Sequence, residues 1–533
     1  MRRHSRFVGG LVILAASAVL VGCGDGPGFN ADGGAGKGGA SAGGGSGGGT
    51  GGGVAGDGGG TGGDGIGGTG GGGGGSGGAA GGGGVAGSSG GGAGTGGGGG
   101  GGAGTGGGAG ATVGSAGTGT GGAGGGAGAA GRGGSGGSAG GAGTTGTAGT
   151  GGVLAPPAIL GGAVINSDFV STSLSLLNTQ GGLARGDCVH TMTTGTGSKT
   201  ISGDVVLPSQ PQRGGQVVLI DRGNTALTFV NPATCVVDRQ HSVKAGFNFA
   251  NPHDVVIVSE SKAYVTRYDR NAAPANPMAA GDDVLIIDPR DGALRGRIDL
   301  ASYAATVTGA TIQARPDRAI IAAGKVLVTL NNLSGDFSTY GPGGVVVIDP
   351  ATDTVVQHLS LGGLKNCEGL DYLPSTRTVL IACGGSFGST EQALESGVVV
   401  LDASTVPLTL ARTISGVAFA TRPVNFLWVL ALPSASSPTR AFAATIGSFT
   451  PSIQDKLYAF DFVTGGTTPF GMATPFDLGR PAVGNGRFFL PDANAAMPRI
   501  HVYDARAAGA PTLEVSFVPD TVNGLPPREV AWY

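Results

Sequence analysis

From about residue 157 onward, short apolar runs alternate with clusters of turn residues. The runs are rich in Val, Ile, Leu and Thr, and they are either apolar throughout or alternate with polar residues. No long segment repeats its apolar residues with the period of roughly 3.6 that a helix requires, so the pattern predicts an all-β fold. One pattern recurs seven times, an apolar run ending in Asp or Asn, at 174–178, 217–221, 284–288, 345–349, 398–402, 457–461 and 500–504.

Each repeat predicts a four-stranded antiparallel unit. The apolar run is followed by a turn and another strand, as at Asp349-Pro350-Ala351-Thr352, and Asp before Pro is typical of a type I turn. Several copies also follow a hairpin, such as 254–258 with 262–267. The recurring run is therefore expected to be the third of four strands, A to D. Seven such units predict a seven-bladed β-propeller. Six or eight blades remain alternatives, because the region 204–241 is irregular.

Two of the second strands resemble a known class of propeller repeat. Tyr264-Val265-Thr266-Arg267 and Leu327-Val328-Thr329-Leu330 are similar to the repeats of the YVTN class. The resemblance covers 161–533 and implies the fold without an activity. The ends of this region predict a closed ring: 527–533 resembles a lone strand A, and 163–190 contains strands B to D. Joining them would complete one blade and remove an open edge.

One face of the predicted ring collects polar residues. Strand A begins, B ends and C begins on this face, and the longest loops (269–282, 332–343 and 384–396) join strands B and C there. A ring of charged groups walled by long loops at the mouth of the channel is where a propeller would bind a ligand. The candidate ligand-binding residues are Arg315, Asp317, Arg318, Arg422, Asn425, Arg480 and Glu529.

Four residues of the same face are candidates for catalysis: His253, Asp254, Glu368 and Arg528. A neutral imidazole of His253 beside Asp254 has the chemistry of a base or a ligand. A likeness to the propeller lactonases would make the chain a hydrolase. The same groups can instead pair with one another and cap the channel. We therefore favour a non-enzymatic module that binds a protein or glycan partner, with the hydrolase as the alternative.

No cofactor or metal site is predicted. No C-x-x-C motif or tight His cluster is present, and 269–283 lacks the spacing of an EF-hand loop. Ca²⁺ held by channel carboxylates would favour the hydrolase. With 31 basic and 34 acidic side chains the net charge is −3, which argues against nucleic-acid binding. A monomer is expected.

The N-terminus has the layout of a secretory signal. Arg2, Arg3 and Arg6 precede an apolar stretch that is too short for a comfortable membrane span of roughly 20 residues. It ends in Leu20-Val21-Gly22-Cys23, which resembles the lipobox of bacterial lipoproteins. The resemblance implies a signal peptide at 1–22, a lipid-modified mature N-terminus at 23–32 beginning with acylated Cys23, and attachment to a membrane. Gly24 at the second mature position favours the outer membrane, with the chain facing the periplasm or the cell surface. A plain signal or anchor helix is the alternative.

Residues 33–152 consist of Gly with Ala, Ser and Thr, and hold most of the 117 glycines of the chain. A segment with so few large apolar side chains cannot offset its ordering entropy by burial, so it is expected to be a disordered linker. As a Gly-rich coil it would span about 60 Å. Residues 153–160 form a junction to the propeller domain at 161–533.

Four of the 5 cysteines remain if Cys23 carries lipid, an even number in an oxidising compartment. Cys367 and Cys383 flank a predicted hairpin turn at positions opposite or nearly so, which favours a disulfide. Cys188 and Cys235 fall in the predicted outer strands of neighbouring blades, where a second disulfide is an option.

Overall fold

The computed structural model describes residues 157–192, 199–387, 389, 391–419, 425–447, 453–507 and 509–533. These residues form seven four-stranded antiparallel sheets, which confirms the predicted propeller and its blade count. The predicted signal peptide, Cys23 and the Gly-rich linker lie outside the described residues, and so does Arg422.

The strands of each blade are given in the order A to D, and blade one alone among the described blades takes its strands from both ends of the domain. Blade one has β30 (Pro527–Trp532), β1 (Gly162–Ser167), β2 (Thr172–Leu177) and β3 (Leu183–His190). Blade two has β4 (Val205–Val206), β5 (Val217–Asp221), β6 (Ala226–Asn231) and β7 (Val236–Ser242). Blade three has β8 (Pro252–Ser259), β9 (Lys262–Arg270), β10 (Gly281–Ile287) and β11 (Leu294–Asp299).

The other four blades follow one another along the chain. Blade four has β13 (Pro316–Ala322), β14 (Lys325–Leu330), β16 (Pro342–Asp349) and β17 (Thr354–Lys365). Blade five has β18 (Cys367–Leu373), β19 (Thr378–Cys383), β20 (Gly397–Asp402) and β21 (Thr409–Ser415). Blade six has β22 (Asn425–Ala431), β23 (Arg440–Ile446), β24 (Asp455–Asp461) and β25 (Thr467–Ala473). Blade seven has β26 (Ala482–Gly484), β27 (Arg487–Asp492), β28 (Arg499–Asp504) and β29 (Thr512–Phe517).

The connecting segments contain a few short elements. β12 (Ile312–Gln313) and β15 (Leu333–Ser334) pair as a small separate sheet. A single-turn helix α1 (Gln392–Glu395) lies in the predicted 384–396 loop. Three 3₁₀ turns cover Pro277–Ala279, Ala301–Tyr303 and Gly416–Ala418.

The core lies between the blades, which explains why the recurring runs are apolar on both faces. Successive side chains of a strand point to opposite sides of the sheet. In β16, Val345 and Val347 pack towards blade five, whereas Val346 and Ile348 pack towards blade three. Each middle strand therefore buries both of its faces against neighbouring blades.

The ring closes through the C-terminal strand, as predicted. β30 pairs antiparallel with β1, with Val530 opposite Val164 and Ala531 opposite Ala163. The indole of Trp532 also donates a 2.7 Å hydrogen bond to the carbonyl of Val483 in blade seven. The last strand thus completes blade one and contacts the blade that precedes it in the ring.

Blade two corrects one part of the sequence interpretation. The run 217–221 was expected to be a third strand, but it is β5, the second strand of its blade. The true third strand is β6, whose end at Asn231-Pro232-Ala233-Thr234 matches the turn at Asp349. An apolar run ending in Asp marks any tight turn, and Asp221 caps the B–C turn by accepting from the amide of Asn224 at 2.9 Å. The pattern alone could not tell which turn it preceded.

Both expected disulfides are present. Cys367 and Cys383 face each other directly across β18 and β19. Cys188 of β3 bonds to Cys235, which lies in the turn just before β7 and not in a strand as predicted. This second bond links blade one to blade two.

We expect Val530→Asp to open the ring. Val530 is 1% exposed, so the substitution places a charge against blade-one and blade-seven core residues. An unpaired buried charge should lower the free energy of unfolding by at least about 3 kcal/mol. Urea unfolding followed by circular dichroism measures this loss. Val515→Asp, on the exposed outer strand β29, is the matched control and should change stability by less than about 0.5 kcal/mol. Equal effects of the two substitutions would contradict closure through β30.

Candidate functional site at the mouth of the central channel

A cavity of about 150 Å³ lies where the first strands of the blades begin. We call this side of the ring the mouth face. Its wall combines aromatic and aliphatic side chains with charged ones. The apolar part includes Phe169, Trp428, Leu430, Phe476 and Leu478. The charged part comprises Arg222, Arg318, Arg480, Arg528, Asp204, Glu368 and Glu529.

A shared backbone irregularity gathers the polar residues here. In five blades the pairing of strands A and B shifts register at the first residues of strand A, between Pro252 and Asp254, for example. A β-bulge of this kind bends the strand and redirects its side chains. The residues following Pro252, Pro316 and Cys367 therefore lie at the channel mouth.

Residues 207–213, here called the floor segment, span the channel. The segment links β4 to β5, and β4 is only two residues long. The amide of Leu207 donates to Glu529 of blade one at 2.6 Å, and the amide of Ser209 donates to Asp254 of blade three at 3.1 Å.

The side chains of the floor segment also accept hydrogen bonds from the blades. Gln210 accepts from the amide of Ile321 in blade four at 3.0 Å, and Gln212 accepts from the amide of Ile257 at 2.8 Å. One loop thus satisfies inner-strand groups of several blades.

Glu529 lies between two of the predicted arginines. Its carboxylate is 3.6 Å from Nη2 of Arg318 and 3.9 Å from Nη1 of Arg480. Arg480 also donates to the carbonyls of Leu207 and Pro208, at 2.9 and 3.5 Å. The structure therefore brings together Arg318, Arg480 and Glu529, three of the residues selected from the sequence.

His253 contacts a different carboxylate from the expected one. Its Nδ1 lies 2.7 Å from Oδ1 of Asp317 in the next blade, and its ring stacks on Tyr268 with 4.1 Å between centroids. Burial alone would raise the pKa of Asp317, but His253 and Arg318 outweigh it and hold that pKa below its usual value. His253 is 9% exposed and is not part of the cavity wall.

Asp254, the expected partner of His253, accepts backbone hydrogen bonds instead. Its carboxylate takes the amide of Ala319 in blade four at 2.9 Å, besides that of Ser209. Asp371 does the same for Ala431 of blade six at 2.6 Å. These carboxylates join the first strand of one blade to the strand of the next. Asp254 therefore has a structural partner for each oxygen.

Glu368 differs from its neighbours. Its Oε1 atom is buried and has no hydrogen-bond partner among the described residues. Burial raises the pKa of Glu368 well above its usual value, repulsion from Asp317 adds to this, and Arg318 offsets part of it. A carboxyl group of raised pKa in a cavity beside an arginine is a functional candidate on physical grounds.

Three predicted residues that the structure describes remain to be placed. Arg528 lines the cavity, donates to the carbonyl of Ser167 at 3.0 Å and lies 4.7 Å from the centre of the Phe169 ring. Arg315 is buried away from the cavity, where it pairs with Asp269 at 2.8 Å and lies over Phe337. It therefore holds the long loops of the mouth face together. Only the backbone of Asn425, at the start of β22, is described.

Sequence reasoning missed Asp204, Arg222 and the aromatic wall. Arg222 donates to Asp204 through Nε at 2.9 Å and Nη2 at 2.5 Å. It directly follows the run 217–221, whose strand was misassigned, so its place at the mouth was hidden. The ends of the second strands were the signal that would have found it, since these also reach the mouth face.

The described residues hold no group of three or more His, Cys, Asp or Glu side chains placed to bind a metal ion. Within the same ranges, none of the helices has the length and apolar character needed to cross a bilayer.

Comparison with known proteins gives likenesses of fold. No family model matches the chain, and no curated protein matches it. A putative 6-phosphogluconolactonase of Bacteroides uniformis is 14% identical, with 70% of this chain and 99% of that one covered and a TM-score of 0.45. One from Bacteroides fragilis is 10% identical, with coverage of 70% and 98% and a TM-score of 0.44. A protein from Lactobacillus plantarum is also 10% identical, with coverage of 70% and 100% and a TM-score of 0.44.

We expect the carboxylates that join the blades to make stability depend on pH. Asp455 is fully buried and accepts from the amides of Gly447, Phe476 and Leu478, the last two beside the cavity. Burial raises its pKa to about 6 in spite of these bonds. Between about pH 4 and 6 the folded state keeps a proton that the unfolded state releases, so the free energy of unfolding falls as pH rises.

Asp455→Asn removes this proton and should flatten the dependence. The difference in stability between wild type and variant should change by up to about 3 kcal/mol across that window. Urea unfolding at a series of pH values measures it. Asp504→Asn is the control, because a hydrogen bond from Arg506 holds the pKa of Asp504 below its usual value, outside the window. Parallel pH profiles for wild type and Asp455→Asn would contradict the assignment.

Proposed function

We propose that this protein is a lipid-anchored binding module of the bacterial cell envelope, whose mouth face docks a protein or glycan partner. The observation that carries the proposal is the set of exposed apolar side chains on that face. Met192, Val170 and Phe249 are 89%, 79% and 78% exposed. A contiguous patch of large apolar side chains is typical of an interaction surface, and we infer that these residues form such a patch.

The topology places these residues on one side of the ring. Val170 lies in the turn between β1 and β2, Met192 follows β3, and Phe249 lies between β7 and β8. All of these connections reach the face on which the first strands begin. Leu394, Val417, Met497 and Val522 are also exposed and lie in connections on the same face.

The hydrolase alternative has weaker support from the same geometry. The proposed base, His253, is stacked on Tyr268, paired with Asp317 and set apart from the cavity wall. Among the four catalytic candidates, Glu368 combines a place in the cavity wall with a raised pKa. Turnover of a lactone that is lost in Glu368→Gln would favour the hydrolase over the module.

The anchoring part of the proposal rests on the sequence before residue 157. The lipobox-like Leu20-Val21-Gly22-Cys23 supports an acylated N-terminus, and two or more acyl chains are needed for lasting attachment. The Gly-rich residues 33–152 would supply the reach between the anchor and the propeller.

Substitution of the exposed apolar residues should abolish partner capture. We expect the Met192→Ser, Phe249→Ser double variant to recover at least tenfold less of a specific partner from cell-envelope extracts than wild type, because both side chains are removed from the docking face. Quantitative mass spectrometry of the captured material measures this. The control carries Val406→Ser and Val463→Ser, which replace exposed residues of turns on the opposite face. Identical captured material from all three proteins would contradict docking through the mouth face.

Substitution of Cys23 should release the protein from the membrane. With Cys23→Ser we expect no acylated N-terminus and recovery in the soluble fraction, because the sulfur that carries lipid is absent. Intact mass of the mature protein and membrane fractionation test this. An unmodified thiol at the mature N-terminus of the wild type, or unchanged fractionation of the variant, would contradict the anchor.

A further inference from the structure

We propose that the mouth cavity binds a small organic carboxylate with an apolar body of about one ring. This site goes beyond the proposed docking function, because it uses the interior of the channel mouth and not the exposed apolar residues around it. Failure of the docking proposal would therefore leave this proposal unaffected, and the reverse also holds.

The charges of the cavity wall favour an anion. Four arginines line the cavity, together with the carboxyl groups of only three acidic residues, Asp204, Glu368 and Glu529. Asp204 is engaged by Arg222. Arg318 lies 3.6 Å from the carboxylates of both Asp317 and Glu529, and Arg480 lies 3.9 Å from that of Glu529. Distances of this length leave an ion pair without a direct hydrogen bond.

Arg318 and Arg480 both keep hydrogen-bond donors for a ligand. A guanidinium carries five N–H groups in a planar fork that matches a carboxylate. Arg318 donates one hydrogen bond, from Nη1 to the carbonyl of His253 at 3.3 Å. Arg480 donates two, both to carbonyls of the floor segment. Neither arginine donates a hydrogen bond to a carboxylate of the protein, so the remaining N–H groups of each are available to the carboxylate of a ligand.

Glu368 supplies a complementary group. Its buried Oε1 has no partner in the described structure, and a buried polar atom without a partner costs free energy. Burial raises its pKa well above the usual value and so favours the protonated carboxyl group, which donates a hydrogen bond to a carboxylate. Gly369 follows it in the cavity wall and leaves space beside it.

The apolar wall and the size of the cavity define the rest of the ligand. Phe169, Trp428, Leu430 and Phe476 offer aromatic and aliphatic surface next to the charged groups. A volume of about 150 Å³ accommodates a group the size of benzene. An inorganic anion would leave this apolar surface in contact with water, whereas a carboxylate on a ring covers it.

Calorimetric titration of the purified chain with benzoate tests the proposal. We expect saturable binding with one site, at least tenfold tighter than that of benzyl alcohol or inorganic phosphate, because each of these lacks one half of the ligand. Arg318→Met should weaken benzoate binding at least tenfold through loss of a charged donor. Arg377→Met, a matched change in an exposed turn between β18 and β19, should leave binding unchanged.

Fluorescence supplies a second readout if Arg318→Met does not fold. The chain has 2 tryptophans, and Trp428 lines the cavity whereas Trp532 does not. In Trp532→Phe, benzoate should change the emission of Trp428 along the calorimetric binding curve. Three results would each overturn the proposal: no binding at millimolar benzoate, equal affinity for benzyl alcohol or phosphate, or unchanged affinity in both Arg318→Met and Arg480→Met.

Discussion

Carboxylates of one blade accept backbone hydrogen bonds from the next blade, and the ring depends on these contacts. The first strand of a blade has a partner strand on one side only, so the amides facing the channel would otherwise lack acceptors. Asp254 takes the amide of Ala319, Asp371 takes that of Ala431, and Glu529 takes that of Leu207. Further out, Asp455 joins blades six and seven in the same way. Burial of these acids costs free energy, and the hydrogen bonds offset that cost where each oxygen is used.

This arrangement separates structural from available polar groups at the mouth. A cluster of His, Asp, Glu and Arg looks like a catalytic set when judged by residue type alone. The hydrogen bonds show that Asp254 holds neighbouring strands, His253 is fixed between Asp317 and Tyr268, and Arg315 holds the loops. What remains for a ligand is decided by the donors and acceptors left over, namely those of Arg318, Arg480 and Glu368.

The sequence was sufficient for the fold because local patterns determine it. The apolar runs bury both faces between blades, as Val345 and Val346 show, and the unmatched strand at the C-terminus predicts closure. The partners of the mouth residues were harder to predict, because they come from other blades. His253 and Asp317 are 64 positions apart, and no local rule selects Asp317 over the adjacent Asp254. The floor segment was hidden for the same reason: its shortened β4 became visible only as irregularity around residue 204.

Glu368 differs from the residues at the equivalent position in the first strands of other blades. His253, Asp317, Glu368 and Arg528 each follow the residue at which the strand begins. His253 and Asp317 bond to each other, and Arg528 bonds to the carbonyl of Ser167. At the next position Asp254 and Glu529 accept backbone amides, blade four has Arg318, and blade five has Gly369, which has no side chain. Glu368 is therefore the residue of this set with a buried oxygen that has no partner in the described structure, and both it and Gly369 line the cavity. Because a buried polar atom without a partner is unfavourable in the folded chain, the place of Glu368 beside an opening is better explained by a ligand than by stability.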